Sequence, residues 1–399
     1  MSLNDNSYKN IFYTLFFVVL LSLFYSANSM SISYGEALNV FKNTSLLTIL
    51  TNSSIYIFGQ NDIALRLPFI LFYLLCLLLM FYLSKDFFKK QSDRYISLSI
   101  FMILPGLISA SLLVNSAIVV TFLVLLYVLY YQKLKKHSYA LLVLFLFVDN
   151  SFAILYLALF FFSLRHKDKK LLIISLVLFV ISMSIYGFDS SGKPRGFLVD
   201  TFAIYATIFS PLLFIYFFYT VYRSGIKRER GLIWYIATTS LIFSFILSFR
   251  QRINIEDYAP YVVIFLPYMV RTFLHTIRVR LPQFRNKYYI ISSLVLIVLF
   301  TNLFFTIVNK PLYMLVEDPK KHFIYKYDYA KQLALNLKEN NINNIYTDDE
   351  KLSLRLKFYN INSGDEFYLT TKDLKIYDYK FDIKYYGKII YTAYIIKKI

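Results

Sequence analysis

Apolar runs of about 17 to 25 residues recur along the first three quarters of this chain, the length a helix needs to cross about 30 Å of hydrocarbon. Hydrophobic residues make up 58% of the sequence and aromatics 20%, which excludes an ordinary soluble globule. The class is therefore a polytopic α-helical membrane protein. The net charge of +19 raises nucleic acid as a partner, but its placement argues against one. The basic residues fall in five short loops: Lys85–Arg94, Lys133–Lys136, Arg165–Lys170, Arg223–Arg230 and Arg278–Lys287. That is the positive-inside pattern, and it assigns these loops to the cytoplasm.

Taken in order, Ile11–Ala27 reads as a retained first span, because no small-x-small cleavage site follows it before Glu36. A polar outer loop covers 31–62. Ile63 to Lys85 is the second span, with Arg66 and Pro68 in its first turns; Tyr95–Val114 and Ala117–Tyr131 follow. Ser138–Leu164 has basic clusters on both sides, and a single crossing would export one of them. The charge rule favours a re-entrant pair of helices of about 12 residues each, with Asp149-Asn150-Ser151 at the tip. Leu171–Tyr186, Phe202–Tyr222, Leu232–Ser248, Pro260–Phe273 and Tyr289–Val308 complete about eleven membrane segments. Lys193 and Arg195 lie in an outer loop between the first two of these. From Asn309 the chain becomes charged and alternates helical with strand patterns, which predicts a small outer α/β domain over 309–399 after a membrane module over 1–308.

Ionisable groups in or beside the membrane are the candidates for chemistry, because burying a charge in hydrocarbon costs at least about 2.5 kcal/mol. Glu36 is suited to act as a general base or to bind a cation; the alternative is a carboxylate on a surface helix. Arg250 and Arg252 depart from the positive-inside trend. Paired guanidinium groups at the membrane edge suit a phosphate, and the alternative is a structural ion network with Glu256 and Asp257. Asp149 is expected to line a cavity. The four histidines (His137, His166, His275 and His322) and the single Cys76 provide no metal centre with Glu36, so no metal or cofactor is expected and a divalent cation has no support.

The run IYIFGQNDIALRLPFILFYLLCLLLMFYLSK resembles the second-span signature of the GT-C membrane glycosyltransferases, in the branch of bacterial aminoarabinose transferases and protein O-mannosyltransferases. Phe58, Gly59, Ala64, Arg66, Leu67 and Pro68 match that signature, and Glu36-Ala37 stands where the family has Asp-Glu-Ala. The chain departs from the family where Gly35 replaces the catalytic Asp. It departs again at Asn43-Thr44-Ser45 in place of His-Pro-Pro or Lys-Pro-Pro, at Asn115 in place of a second acid, and at Val148-Asp149 in place of Thr-Lys.

The resemblance implies a GT-C-like fold in the bacterial inner membrane with the C-terminal domain outside. It implies transfer of a sugar from a polyprenyl-phosphate donor to a lipid or glycan acceptor of the envelope, among membrane lipids. In that reading Glu36 is the base, Arg250 and Arg252 hold the lipid phosphate, and Tyr34, Arg66, Asn115 and Asp149 line the cavity. The loss of the acid at Gly35 supports an alternative, an inactive relative that binds lipid-linked sugar or assists envelope assembly. A glycolipid transporter is the third reading, and the concentration of polar groups on the outer side weighs against it.

Overall fold

The structure is a computed structural model and describes residues 5–187, 196–227, 230–373 and 376–397. Lys193, Arg195 and Arg228 lie outside these residues. Contacts divide the chain into two compact units: Met1–Leu20 with Phe69–Leu303, and Leu21–Pro68 with Phe304–Ile399. The polar loop at 31–62 thus belongs to the same unit as the C-terminal segment.

The first unit is helical, and the protein is a multi-pass membrane protein. Six helices among the described residues are long and apolar enough to span: Asp5–Ser29, Asp62–Asp86, Ala117–Leu134, Lys169–Tyr186, Ala259–Val279 and Pro282–Ile307. Two bent pairs raise the number to eight, whereas Phe152–His166 and Leu232–Ser248 are shorter. The eleven segments expected from the sequence correspond to six to eight spans of full length.

The differences come from breaks that the hydropathy pattern does not register. The run expected at Tyr95–Val114 is Gln91–Met102 followed by Pro105–Leu112, bent by 52°. The run expected at Phe202–Tyr222 is Leu198–Phe209 followed by Pro211–Ile226, bent by 102°. Pro211 disfavours the helical region for the residue before it. Ser210 has the extended ψ of 148° that a following proline favours, together with a φ of 75° that a non-glycine residue rarely takes. Buried rings hold the bend together, with Phe209 stacked on Phe217 at 5.3 Å and Tyr205 on Phe214 at 5.4 Å.

The pair around Asp149 has unequal arms, Tyr139–Phe145 with 7 residues and Phe152–His166 with 15, in place of two arms of about 12. The Tyr156 hydroxyl donates to the Leu142 carbonyl at 2.8 Å, and Phe145 stacks on Phe152 at 4.5 Å. At the tip, the Asp149 carboxylate accepts the Ser151 backbone N–H at 2.9 Å, a local turn that a short acidic side chain makes readily.

The second unit contains a four-stranded sheet of β1 (Tyr346–Thr347), β2 (Phe367–Thr370), β3 (Tyr379–Tyr385) and β4 (Lys388–Lys397), in the order β1-β2-β4-β3. β1 runs parallel to β2; the other pairs are antiparallel. Tyr386 and Gly387 join β3 to β4 with φ of 50° and 80°, the two-residue turn whose twist matches the strands. Helices Ala330–Glu339 and Glu350–Phe358 cover the sheet through Leu333, Leu337, Leu352 and Leu356, which meet Leu369, Ile383 and Ile395. Leu335 is exposed, and Ala334 is buried beside Leu333.

Close helix approach in the first unit depends on Gly106, where a β-carbon would lie 2.5 Å from Ile208 Cγ2 and 3.3 Å from its Cα. Gly106→Ala is expected to destabilise the protein by about 1–3 kcal/mol through overpacking. Removing the opposing methyl with Ile208→Ala in the same chain is expected to recover part of that loss. Thermal unfolding in detergent reads both effects, and equal stability of wild type and Gly106→Ala would refute the close approach.

Candidate functional site

In the second unit the expected site residues converge on a buried guanidinium. The helix Leu46–Phe58 ends at Gly59, whose φ of 83° suits a residue without a β-carbon. Asn61 then caps the next helix, its side-chain oxygen accepting the Ala64 N–H at 2.8 Å. One turn on, Pro68 has no N–H to offer the Ala64 carbonyl, and the Ser54 hydroxyl donates to it instead at 2.6 Å. This capped start orients Arg66 inward, where it is fully buried.

Arg66 Nη1 donates to the carbonyls of Ala27, Met30 and Asp62, at 3.2, 3.2 and 3.3 Å. Nη2 donates to the Ser31 carbonyl at 3.1 Å and to Glu36 Oε2 at 3.3 Å. Asp62 Oδ1 lies 3.7 Å from Nη1 and accepts the Tyr359 hydroxyl at 2.7 Å, while Asp62 Oδ2 meets Lys331 Nζ at 2.9 Å. Burial pushes the Tyr359 phenol well up, so it remains a donor to Asp62.

Glu36, expected as the base, is buried and already engaged. Besides pairing with Arg66, its Oε2 accepts the Ser33 N–H at 2.8 Å, and Ser33 Oγ accepts the Glu36 N–H at 3.3 Å. This reciprocal capping box starts the helix Tyr34–Phe41. Tyr34 is half-buried, with Lys351 Nζ 5.8 Å from its ring centre. The arrangement holds one stretch of backbone in place through Glu36 Oε2, which suits architecture better than proton transfer. Gly35, next to Glu36, is exposed.

In the first unit a cavity of about 230 Å³ brings the tip of the unequal helix pair to the end of Leu232–Ser248. Asn150 and Ser151 line one side; Gln251, Arg252, Asp257 and Tyr258 line the other. Neither Arg250 nor Arg252 forms a salt bridge among the described residues. Arg252 reaches the cavity; Arg250, also exposed, is not among its lining residues. Asp149, expected to line a cavity, is half-buried and is not among the lining residues of this one, although its neighbours Asn150 and Ser151 are. Burial first, then the charges of Asp149 and Glu256, push the Asp257 carboxyl up to about 7. Asn115 lies elsewhere in this unit, its side-chain oxygen accepting the Ala117 N–H at 3.2 Å at the start of a helix.

The chain is similar in structure to ArnT from Cupriavidus metallidurans in the apo state, with a TM-score of 0.51 over 88% of this chain and 75% of that one. The fold is GT-C-like. Sequence identity over the match is 11%, so the likeness is one of architecture. No family model matches the sequence, and no curated protein matches it.

In the sequence Asp257 stands out only as a partner for Arg250 and Arg252. Hydropathy gave no signal that a carboxyl just beyond a helix end would be drawn into a cavity. Asp62, Lys331, Arg355 and Tyr359 were also missed as parts of the second unit's polar core. Their partners are some 300 residues away in sequence, beyond any local pattern.

Removing the hub is expected to cost far more than removing one spoke. Arg66→Met leaves Glu36 and Asp62 buried without their shared cation and should destabilise the protein by about 3–5 kcal/mol. Glu36→Gln keeps the cap acceptor and should cost about 1–2 kcal/mol. Differential scanning fluorimetry in detergent checks the order, and equal losses would contradict the hub arrangement.

Proposed function

We propose that this protein is a GT-C-like transferase that uses a polyprenyl-phosphate-linked sugar at the outer face of the bacterial inner membrane, with the C-terminal segment outside. The observation that carries the reading is a cavity shared by Arg252, which forms no salt bridge among the described residues, and Asp257, whose carboxyl burial pushes up to about 7. A general base works best with a pKa near the working pH. The GT-C-like fold supports the reaction class, and the basic loops support the orientation.

In this reading Asp257, rather than Glu36, takes the proton from an acceptor hydroxyl. The acceptor oxygen attacks the anomeric carbon as the bond to the lipid phosphate breaks, and Arg252 stabilises the charge that develops on the departing phosphate. Asp149 sets the proton affinity of Asp257 by like-charge repulsion. The cavity volume fits a headgroup, with the polyprenyl chain left to the surrounding lipid. Acceptor and sugar identity follow from none of these residues.

A second reading has its own support. Gly35 stands where the resembled family carries an acid, and the adjacent Glu36 is held by Arg66 and its capping box. A protein so built could bind lipid-linked sugar without transferring it.

The deciding experiment is transfer of radiolabelled sugar from polyprenyl-phosphate donors in proteoliposomes. Asp257→Asn is expected to lower transfer by about 10²–10⁴-fold with donor binding kept. Arg252→Gln is expected to weaken donor binding by about tenfold or more. Because the active form of Asp257 is the carboxylate, activity should rise as pH increases through about 7. Asp149→Asn removes a charge that raises this pKa, so it should move the rise to lower pH. Saturable donor binding without transfer, at any pH, would replace this reading with the second one.

A further inference from the structure

A cavity of about 550 Å³ in the first unit belongs to neither set of residues above. It lies where the turn before Gln91–Met102, the end of Pro211–Ile226 and the second half of Leu266–Val279 meet. On the last of these helices Arg271, His275 and Arg278 follow one another at spacings of four and three residues, which puts them on one face, and all three line the cavity. Lys89, Arg223 and Lys227 line it from the other two elements.

The charges do not cancel. Asp93 is buried and taken by Arg278, which donates through Nη1 to Oδ2 at 2.6 Å and through Nη2 to Oδ1 in a two-point pair. Asp86, the other acid of the lining, accepts Gln132 Nε2 at 2.7 Å. Arg223 donates to the Thr276 hydroxyl at 3.1 Å, a neutral partner. Lys89, Lys227 and Arg271 form no salt bridge among the described residues. Among the described residues, four cations that form no salt bridge therefore face a space of ligand-pocket size whose remaining acid charge is the one on Asp86, and the excess positive charge favours an anion between them. Phe87 and Tyr268, packed edge to face at 4.8 Å, give the space a firm aromatic wall.

This cavity is separate from the one holding Arg252. Tyr268 packs against Gly231, at the start of Leu232–Ser248, whereas Leu247, Gln251 and Arg252 at the far end of that helix line the other cavity. Seventeen helical residues separate the two ends by about 25 Å.

We propose that this basic cavity is a second binding site, for a phosphate-bearing group with two or more negative charges, on the membrane face opposite the Arg252 cavity. Forked guanidinium donors and flexible ammonium groups together suit a phosphomonoester or pyrophosphate. That group could be the headgroup of an anionic lipid or a free phosphate compound.

Titration of the full chain in neutral detergent with inorganic pyrophosphate, and in nanodiscs with and without phosphatidic acid, separates the two sources. Saturable binding of pyrophosphate that phosphatidic acid does not displace supports a soluble ligand. Enrichment of phosphatidic acid around the protein with no pyrophosphate binding supports a lipid headgroup. In either case Arg271→Gln is expected to weaken binding by about tenfold or more, and Lys89→Gln by a smaller factor. Both side chains are exposed and form no salt bridge among the described residues, so folding is expected to survive both changes. Arg280→Gln, a basic residue outside the lining, should leave binding unchanged. Binding of neither probe, or equal loss in Arg271→Gln and Arg280→Gln, would overturn the site.

Discussion

One buried guanidinium organises the second unit. An arginine away from water is tolerable only when its donors are met and its charge is matched, and Arg66 achieves both with four backbone carbonyls and two carboxylates. Three of the carbonyls belong to the end of one helix and the loop after it and the fourth to Asp62; the carboxylates lie in the first turns of two further helices. A single side chain thereby fixes the path of residues 27 to 66. Arg355 repeats the device nearby, donating to the carbonyls of Ile32 and Asp328 at 2.8 Å each while lying over the Tyr329 ring. The loop is thus tied to the C-terminal helices by polar contacts, and the apolar core of the sheet lies beneath them.

This accounts for what the FGQND and ARLP positions contribute. Gly59 turns the chain, Asn61 caps, Ala64 leaves room beside Ser54, Pro68 frees the carbonyl that Ser54 takes, and Arg66 enters the core. Each is explained by backbone geometry and polar satisfaction. A stretch that resembles an enzyme family's signature can therefore mark a way of building a loop as readily as a catalytic centre, and the residues suited to chemistry must be sought separately.

The membrane class, the helix pair around Asp149 and the α/β character of the tail were legible from hydropathy length, charge placement and alternation. The sharp bend at Ser210 was not, because an apolar run reads the same whether straight or folded; only Pro211 carried a local signal. Glu36 was recognised as unusual but its role was not, since a carboxylate three residues after Ser33 fits a capping box as well as it fits a general base. What distinguishes the two is the identity of its partner, Arg66, thirty residues on. Asp257 was overlooked for the complementary reason: its environment is set by burial and by Asp149, which is distant in sequence.

The order of the sheet has a consequence for how the protein is made. β4 is fourth in the sequence yet lies between β2 and β3. Until it emerges, neither neighbour has its partner, and β2 has only the two-residue β1 beside it. The loop at 31–62, translated hundreds of residues earlier, must wait for the segment from Tyr327 to Tyr359 before Ser31, Ile32 and Asp62 find their hydrogen bonds. For most of its synthesis the chain therefore holds an unfinished polar loop next to its first membrane helix. Its nascent form is a natural client for whatever shields polar segments during membrane insertion.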